Sequence, residues 1–189
     1  MNFFPAFIKL NDKKILIVGG GHIAYEKLTK LLNFTKDLTI LANDIDIKIK
    51  KISKQHNIPI IKKRYESGDI KGFDIVIIAV DDIDLQREIF IESRNYRIFC
   101  NAVDSLKYCD FIFPSFLKED DLIIAVSTSG ASPSVAKYLR RYIQKLLPPN
   151  ILGFLKEMKN IRNSLPKGKR RMELLDKKAK EFFKLNEGK

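Results

Sequence analysis

Residues 13–27 read KKILIVGGGHIAYEK, a short β-branched apolar run followed by three glycines and an amphipathic pattern. This order predicts a strand, a tight turn and a helix. Gly19, Gly21 and Ala24 fit the G-x-G-x-x-G/A spacing, in which the first allows the turn, the second lets backbone approach a pyrophosphate and the third lets the helix pack close to the strand. The N-terminus of the helix offers free N–H groups to phosphate. The stretch therefore predicts a dinucleotide-binding turn.

A second predicted strand, LTILA at 38–42, ends in Asn43 and Asp44. This places a carboxylate where dinucleotide folds hydrogen-bond the adenosine ribose. The Asp44 charge would repel the extra phosphate of NADP and no arginine follows it, so the sequence favours NAD, although Lys48 leaves the choice open. In the alternative interpretation, the glycines form an ordinary strand-to-helix turn that binds nothing, and Asp44 is a helix N-cap.

Length and composition restrict the class of protein. A chain of 189 residues suffices for one substantial core and a small appendage. The longest apolar runs, such as 75–80, are far shorter than a membrane span. The start MNFFPAFIKL does not resemble a secretory signal. These features predict a cytoplasmic protein that does not enter a membrane.

Cysteines and histidines are scarce. Cys100 and Cys109 match no zinc or redox spacing and are predicted to be buried thiols. His22 and His56 are the only histidines, so the sequence predicts no metal site and no Ser-His-Asp triad. His22 lies at the glycine turn and is predicted to neighbour the cofactor.

The positive charge is concentrated at the carboxyl end. Residues 1–136 hold 19 Lys and Arg against 18 Asp and Glu, whereas residues 137–189 hold 16 against 5. The second segment therefore either meets a polyanion or forms solvated helices.

Apolar strands separated by helix-length segments indicate an α/β fold, a Rossmann-type doubly wound parallel sheet. We expect residues 1–113 to form an NAD-binding domain, residues 114–148 a dimerisation and substrate segment, and residues 149–189 a basic helical module. Ligands of such sheets bind beyond the carboxyl ends of the strands. The further predicted strands are 58–63, 73–80, 96–103, 111–114 and 121–129, with a helix at 84–95.

A basic helix is predicted to begin at Ser132 and Pro133 and to end at Pro148. Further helices are expected at about 151–163 and 170–185, with a loop at 165–171. The first of these three helices has an apolar stripe of Val135, Leu139, Ile143 and Leu147 and a basic row of Lys137, Arg141 and Lys145.

Several motifs, in this order and spacing, resemble those of the precorrin-2 dehydrogenase / sirohydrochlorin ferrochelatase family. The resemblance runs from Phe4 to about Pro148. It implies NAD-dependent dehydrogenation of precorrin-2 to sirohydrochlorin, insertion of ferrous iron in some members, and a homodimer. The motifs are IVGGGHIAYEK at 17–27, AVDD at 79–82, RIFCNAVD at 97–104, DFIFPS at 110–115 and AVSTSGASPSVAKYLR at 125–140.

The resemblance also implies roles for individual residues. Asp104 matches the aspartate regarded as essential, and Thr128 falls where some members carry serine. Two positions depart from the family pattern, because Ser129 stands where glycine is common and Gln86 where asparagine is common. Cofactor contacts are implied at His22, Ile23, Asn43 and Asp44.

The chemistry adds further candidates. A carboxylate at a strand's carboxyl end is a reasonable base for a dehydrogenation, so Asp104 is the predicted catalytic residue, with a turn-capping role as the alternative. Precorrin-2 carries eight carboxylates, which a helix N-terminus and basic side chains can bind. The predicted cofactor-binding residues are Gly19, Gly21, His22, Ile23, Ala24, Asn43, Asp44 and Asp81, and the predicted substrate-binding residues are Thr128, Ser129, Gly130, Ser132, Lys137, Arg140 and Arg141.

Two other functions compete. One is an NAD-sensing regulatory domain whose basic tail contacts nucleic acid. Against it, Phe154, Phe182 and Phe183 have helical core spacing rather than the interleaving of a single-strand binder. The other is an NAD-dependent oxidoreductase of a small substrate, which usually needs a larger catalytic domain than the residues remaining after the sheet provide.

Overall fold

The computed structural model describes residues 3–103 and 105–184. The chain divides into two units, residues 1–113 and 114–189. The roles assigned above to the segments 114–148 and 149–189 stay predictions. No helix in the described ranges is both long and apolar enough to cross a membrane.

The first unit is built on a five-stranded parallel sheet. Its strands are short and almost wholly apolar, as expected for strands covered on both faces. In register, Ile17 of the central strand lies between Ile40 and Ile77. The strands are β1 (Ile15–Val18), β2 (Leu38–Leu41), β3 (Ile60–Ile61), β4 (Ile75–Ile78) and β5 (Phe99–Ala102), in the order β3-β2-β1-β4-β5.

Helices cover both faces of this sheet. They are α1 (His22–Leu31), α2 (Ile47–His56) and α3 (Ile83–Tyr96). Alternate residues of each strand enter two cores: Ile15 and Ile17 pack with Leu28 of α1 and Ile49 of α2, whereas Leu16 and Val18 lie in the core that holds Ile89 of α3. The predicted doubly wound, Rossmann-type fold is confirmed.

The strand order fixes where a ligand crevice can form. From β1 the chain moves outward to β2 and β3, then returns to place β4 on the other side of β1. In open α/β sheets this reversal leaves a crevice at the carboxyl ends of the two central strands. The glycine turn follows β1 and therefore lies at this edge.

The second unit begins with an antiparallel hairpin of β6 (Ser115–Glu119) and β7 (Leu122–Val126). The expectation that 121–129 joins the parallel sheet is wrong. A parallel neighbour requires a long crossover, but only Asp120 and Asp121 separate the two strands, which allows antiparallel pairing alone. Residues 127–132 therefore do not follow a strand of the parallel sheet.

Three helices complete the second unit: α4 (Pro133–Leu146), α5 (Ile151–Ser164) and α6 (Lys169–Lys184). The predicted loop at 165–171 is shorter than expected, because α6 begins at Lys169. Helix α4 packs on the hairpin. Helices α5 and α6 pack through stacked rings of Phe154 and Phe182, whose centroids are 4.0 Å apart. Lys159 Nζ lies 2.7 Å from a carboxylate oxygen of Asp121, which joins α5 to the hairpin turn.

Candidate functional site

Gly19 directly follows β1, at a position where no other residue fits. Its φ is +126°, a conformation that L side chains rarely adopt, and a Cβ there would lie 2.2 Å from the carbonyl oxygen of Ala79. Its N–H donates to the Leu41 carbonyl at 2.9 Å. The turn is therefore wedged between the ends of β2 and β4, as the predicted turning role of Gly19 requires.

Gly20 is essential for a reason that the sequence pattern does not reveal. A Cβ at this position would lie 1.9 Å from the Asp44 carbonyl oxygen and 3.0 Å from the Ala42 Cβ. The Gly20 carbonyl also accepts a hydrogen bond from Asp46 N at 2.8 Å. The turn and the loop after β2 are thus in direct backbone contact. The G-x-G-x-x-A pattern treats this residue as variable, and the run of three glycines was the only signal.

Gly21 has the opposite surroundings. A Cβ there would meet no heavy atom within 4 Å, and the residue is the N-cap of α1 without a side-chain cap. The first N–H groups of α1 are therefore open to an anion. Ala24 is fully buried against the sheet, His22 is exposed with its Nε2 3.3 Å from Glu26 Oε1, and Ile23 packs partly buried on the core.

The glycine turn and the Asn43–Asp44 pair line one open cleft of about 450 Å³. Asn43 Nδ2 donates to Asp44 Oδ2 at 3.1 Å, which orients the exposed carboxylate. Both residues and the turn thus come together as the sequence predicts. The room at Gly21, the uncapped helix end and the carboxylate fit a dinucleotide. The cleft is lined by Gly20, Gly21, Asn43, Asp44, Ile45, Asp46, Lys50 and Lys62.

The lysines of the cleft are not the one that the sequence suggested. Lys48 lies with its Nζ 5.9 Å from the centre of the Tyr25 ring, and it is Lys50 and Lys62 that line the cleft. Lys62 follows β3, so its approach to the cleft depends on β3 pairing with β2. That pairing is non-local and could not be read from spacing.

Asp81 follows β4 on an exposed loop and is not among the residues that line this cleft. Its neighbour Asp82 caps α3, accepting hydrogen bonds from the N–H groups of Asp84 and Leu85 at 3.0 Å. Gln86 Nε2 of α3 donates to the Val80 carbonyl at 2.7 Å, which ties the loop after β4 to this helix. Gln86 Oε1 is buried without a partner among the described residues.

Asp104, the predicted catalytic residue, lies outside the described residues. The residues around it are described: β5 ends two positions before it, and a short 3-10 helix, Leu106–Tyr108, follows.

The predicted substrate-binding loop joins β7 to α4. Thr128 Oγ1 accepts a hydrogen bond from Ser132 N and donates to Ser132 O, both at 3.0 Å. Ser132 Oγ in turn accepts from Val135 N, capping α4. Ser129 and Gly130 have φ of +51° and +89°. The left-handed conformation of Ser129 explains why glycine suits this position.

The basic residues of α4 fall on different faces. Lys137 and Arg141 are exposed one turn apart. Arg140 is half-buried, its Nη1 donates to Gln144 Oε1 at 2.7 Å, and its Nε is buried without a partner among the described residues. The structure thus groups Lys137 with Arg141 and separates Arg140 from them.

A family model described as "Putative NAD(P)-binding" matches residues 6–115. The chain belongs to this NAD(P)-binding family. The matched range holds the whole parallel sheet and the cleft, so the predicted class of cofactor is confirmed.

The curated relatives include siroheme synthases, which confirms the resemblance found in the motifs. That of Mannheimia succiniciproducens is 34% identical over 151 residues, covering 80% of this chain and 32% of the relative. That of Methylococcus capsulatus is 36% identical over 148 residues, covering 78% of this chain and 31% of the relative. The chain therefore spans about a third of the length of these relatives.

Among solved structures, the fold is similar to that of a protein described as "SirC, precorrin-2 dehydrogenase". The TM-score is 0.76 at 20% sequence identity, with 99% of this chain and 100% of that chain covered. At this identity the likeness concerns the fold.

Proposed function

We propose that the chain is an NAD-dependent dehydrogenase that converts precorrin-2 to sirohydrochlorin. The observation that carries the proposal is a cleft, lined by the glycine turn and the exposed Asp44 carboxylate, that fits a dinucleotide, found in a chain of which 80% matches a siroheme synthase. The name of the structural neighbour, a precorrin-2 dehydrogenase, points to the same reaction.

We propose NAD rather than NADP as the cofactor. Bound NAD would supply the hydride acceptor. The N–H groups at the start of α1 would hold the pyrophosphate, and the Asp44 carboxylate would accept hydrogen bonds from the ribose hydroxyls. Lys50 and Lys62 add positive charge to the cleft, but a 2′-phosphate would still face the Asp44 carboxylate.

Asp104 is the proposed base. Loss of two hydrogens from the macrocycle needs a proton acceptor as well as a hydride acceptor, and a carboxylate after a sheet strand suits that role. Replacing the base should lower kcat by about 10²- to 10⁴-fold. Asp104→Ala should therefore lose turnover while the dissociation constant for NAD, measured by calorimetry, stays close to that of the wild type.

We propose that Lys137 and Arg141 bind carboxylates of precorrin-2. They are exposed on one face of α4, and no described acidic side chain forms an ion pair with either. Arg141→Glu should raise KM for precorrin-2 and leave KM for NAD unchanged. Lys167→Glu, an equal change of charge between α5 and α6, is the control. Equal KM values in both variants would contradict the assignment.

We also propose a homodimer formed through α4. One face of this helix carries exposed large apolar side chains, which a monomer rarely leaves in contact with water. Tyr142→Glu on this face should shift the sedimentation coefficient toward the monomer, whereas the same substitution at Tyr96, an exposed tyrosine at the end of α3, should not. Identical sedimentation of the two variants would contradict this interface. The exposed side chains are Val135, Tyr138, Leu139, Tyr142 and Leu146, with exposed fractions from 44% to 66%.

The experiment that tests the function is an anaerobic incubation of the purified chain with precorrin-2 and NAD. We expect NADH and the absorbance of sirohydrochlorin to appear together, with slower formation when NADP replaces NAD. Ferrous iron added afterwards tests whether the same chain also forms siroheme. Absence of NADH, together with a gel shift of nucleic acid at physiological salt, would instead favour the regulatory domain with a nucleic-acid-binding tail.

A further inference from the structure

The cleft beside the glycine turn contains two lysines that the proposed contacts with NAD do not use. Lys50 is the fourth residue of α2, and Lys62 directly follows β3. Both residues are exposed and line the cleft. Within the described ranges, neither forms an ion pair with an acidic side chain. The cleft therefore presents two ammonium groups to an anionic ligand.

The pairing of β3 with β2 determines where Lys62 leaves the sheet. Ile61 is in register with Leu41, and its carbonyl accepts a hydrogen bond from Ala42 N at 3.2 Å. Lys62 therefore stands beside the end of β2, from which the chain continues to Asp44. The lysine and the carboxylate thus line the same cleft from neighbouring strands.

The carboxylates of the cleft have other hydrogen-bond partners. Asp46 Oδ1 accepts a hydrogen bond from Lys48 N at 2.7 Å and caps α2. Asp44 Oδ2 accepts one from Asn43 Nδ2 at 3.1 Å. A ligand can therefore meet both kinds of group, with hydroxyl donors for the Asp44 carboxylate and a negative charge for the lysines.

The order of the strands places Lys62 on the far side of Asp44 from the glycine turn. The turn follows β1, the loop with Asp44 follows β2, and Lys62 follows β3, and these three strands are neighbours in that order. Because adjacent strands lie about 4.8 Å apart, β3 is roughly 10 Å from β1. With the pyrophosphate at α1 and the ribose hydroxyls at Asp44, an anion at Lys62 would be attached to the ribose. The 2′-phosphate of NADP is such a group.

We propose that Lys50 and Lys62 are specificity-determining residues that bind the 2′-phosphate of NADP. The Asp44 charge repels this phosphate and keeps NAD the preferred cofactor, whereas the two ammonium groups attract it. The preference for NAD is therefore narrower than the carboxylate alone would set, and NADP remains a ligand of the cleft. This inference rests on the proposed function for the placement of the dinucleotide.

Calorimetric titrations of the purified chain with NAD and with NADP test the inference. The double variant Lys50→Gln/Lys62→Gln should raise Kd for NADP about tenfold, as expected for loss of charge-assisted hydrogen bonds at an exposed site, and change Kd for NAD less than about twofold. The matched control is Lys51→Gln/Lys54→Gln, which removes the same charge from exposed positions on α2 that do not line the cleft. It should leave the ratio of the two constants unchanged.

Two results would overturn the inference. An unchanged Kd for NADP in Lys50→Gln/Lys62→Gln would show that the ammonium groups do not bind the 2′-phosphate. An equal rise of Kd for NAD and NADP would assign the lysines to a part that both cofactors share. The proposed reaction fails separately if the ratio depends on the two lysines but the wild-type chain does not oxidise precorrin-2. The inference alone fails if the chain oxidises precorrin-2 with NAD while the ratio is the same in wild type and variant.

Discussion

Gly20 and Gly21 are neighbours, yet the structure predicts different consequences of adding a methyl group to each. At Gly20 the methyl carbon would lie 1.9 Å from the Asp44 carbonyl oxygen. Carbon and oxygen in close contact are normally about 3.3 Å apart, so one of the two backbones must move by roughly 1 Å or more. At Gly21 the methyl group would enter open space.

These geometries set the expected magnitudes. Overpacking costs about 1–3 kcal/mol, so Gly20→Ala should lower the free energy of unfolding by that amount. Gly21→Ala changes only an N-cap, and its cost should stay below about 1 kcal/mol. Both substitutions should also weaken NAD binding, for different reasons. Gly20→Ala should displace Asp44, whereas the methyl group of Gly21→Ala would occupy the space proposed for the pyrophosphate. Losing one charge-assisted hydrogen bond corresponds to an increase of about ten- to a hundredfold in Kd.

Urea unfolding and calorimetric titration with NAD measure both quantities on the same samples. Gly21→Ala should unfold at nearly the wild-type urea concentration and bind NAD weakly. Wild-type NAD affinity in this variant would refute the placement of the pyrophosphate at the turn. Wild-type stability of Gly20→Ala would refute the backbone contact with the loop after β2.

Three further predictions concern single side chains. Asp44→Asn should shift the ratio of kcat/KM values toward NADP by about tenfold or more, because asparagine lacks the negative charge that would repel the 2′-phosphate of NADP. Initial rates with the two cofactors measure this ratio, and an unchanged ratio would contradict the prediction. Arg94 of α3 donates hydrogen bonds from both terminal nitrogens to the Asp110 carboxylate, and its guanidinium lies 4.6 Å from the centre of the Phe90 ring. Arg94→Lys loses the paired geometry and the ring contact and should lower the free energy of unfolding by about 1–2 kcal/mol, whereas Arg87→Lys on the same helix should leave it unchanged. The hydrogen bond from Lys13 lowers the pKa of Asp74, so its stabilisation is present above about pH 4 and is lost as the pH falls through the lower folded value; Asp74→Asn should flatten this part of the urea-midpoint profile, and an unaltered profile would show that the pair adds nothing.

The sequence was sufficient for features that depend on local pattern. The glycine spacing, the apolar strands and the carboxylate after β2 are each contained within a few residues. Because parallel strands bring their carboxyl ends to one edge, these local signals also predicted that the turn and Asp44 would meet.

Features that depend on pairing partners were missed. The apolar run at 111–114 looks like a strand but forms none, because the backbone and side chain of Asp110 already occupy the N–H and carbonyl of Cys100 at the sheet edge. Phe111 and Phe113 pack against the core instead. The role of Gly20 likewise depends on a contact with Asp44, which no spacing rule contains.

The apolar stripe predicted for α4 does not by itself say which face of the helix is buried. Val135 and Leu139 of this stripe are 55% and 44% exposed. The side facing the hairpin is narrow and built around Ala136, which is 5% exposed. A second apolar face cannot be told from a core face by periodicity alone.

The transfer of hydrogen itself tests the central claim most directly. Precorrin-2 deuterated at the carbon that loses hydride is incubated with the purified chain and NAD, and the nucleotide is analysed by mass spectrometry. We expect one deuterium in each NADH formed and one NADH for each sirohydrochlorin. NADH without deuterium, or sirohydrochlorin formed without NADH, would contradict the account.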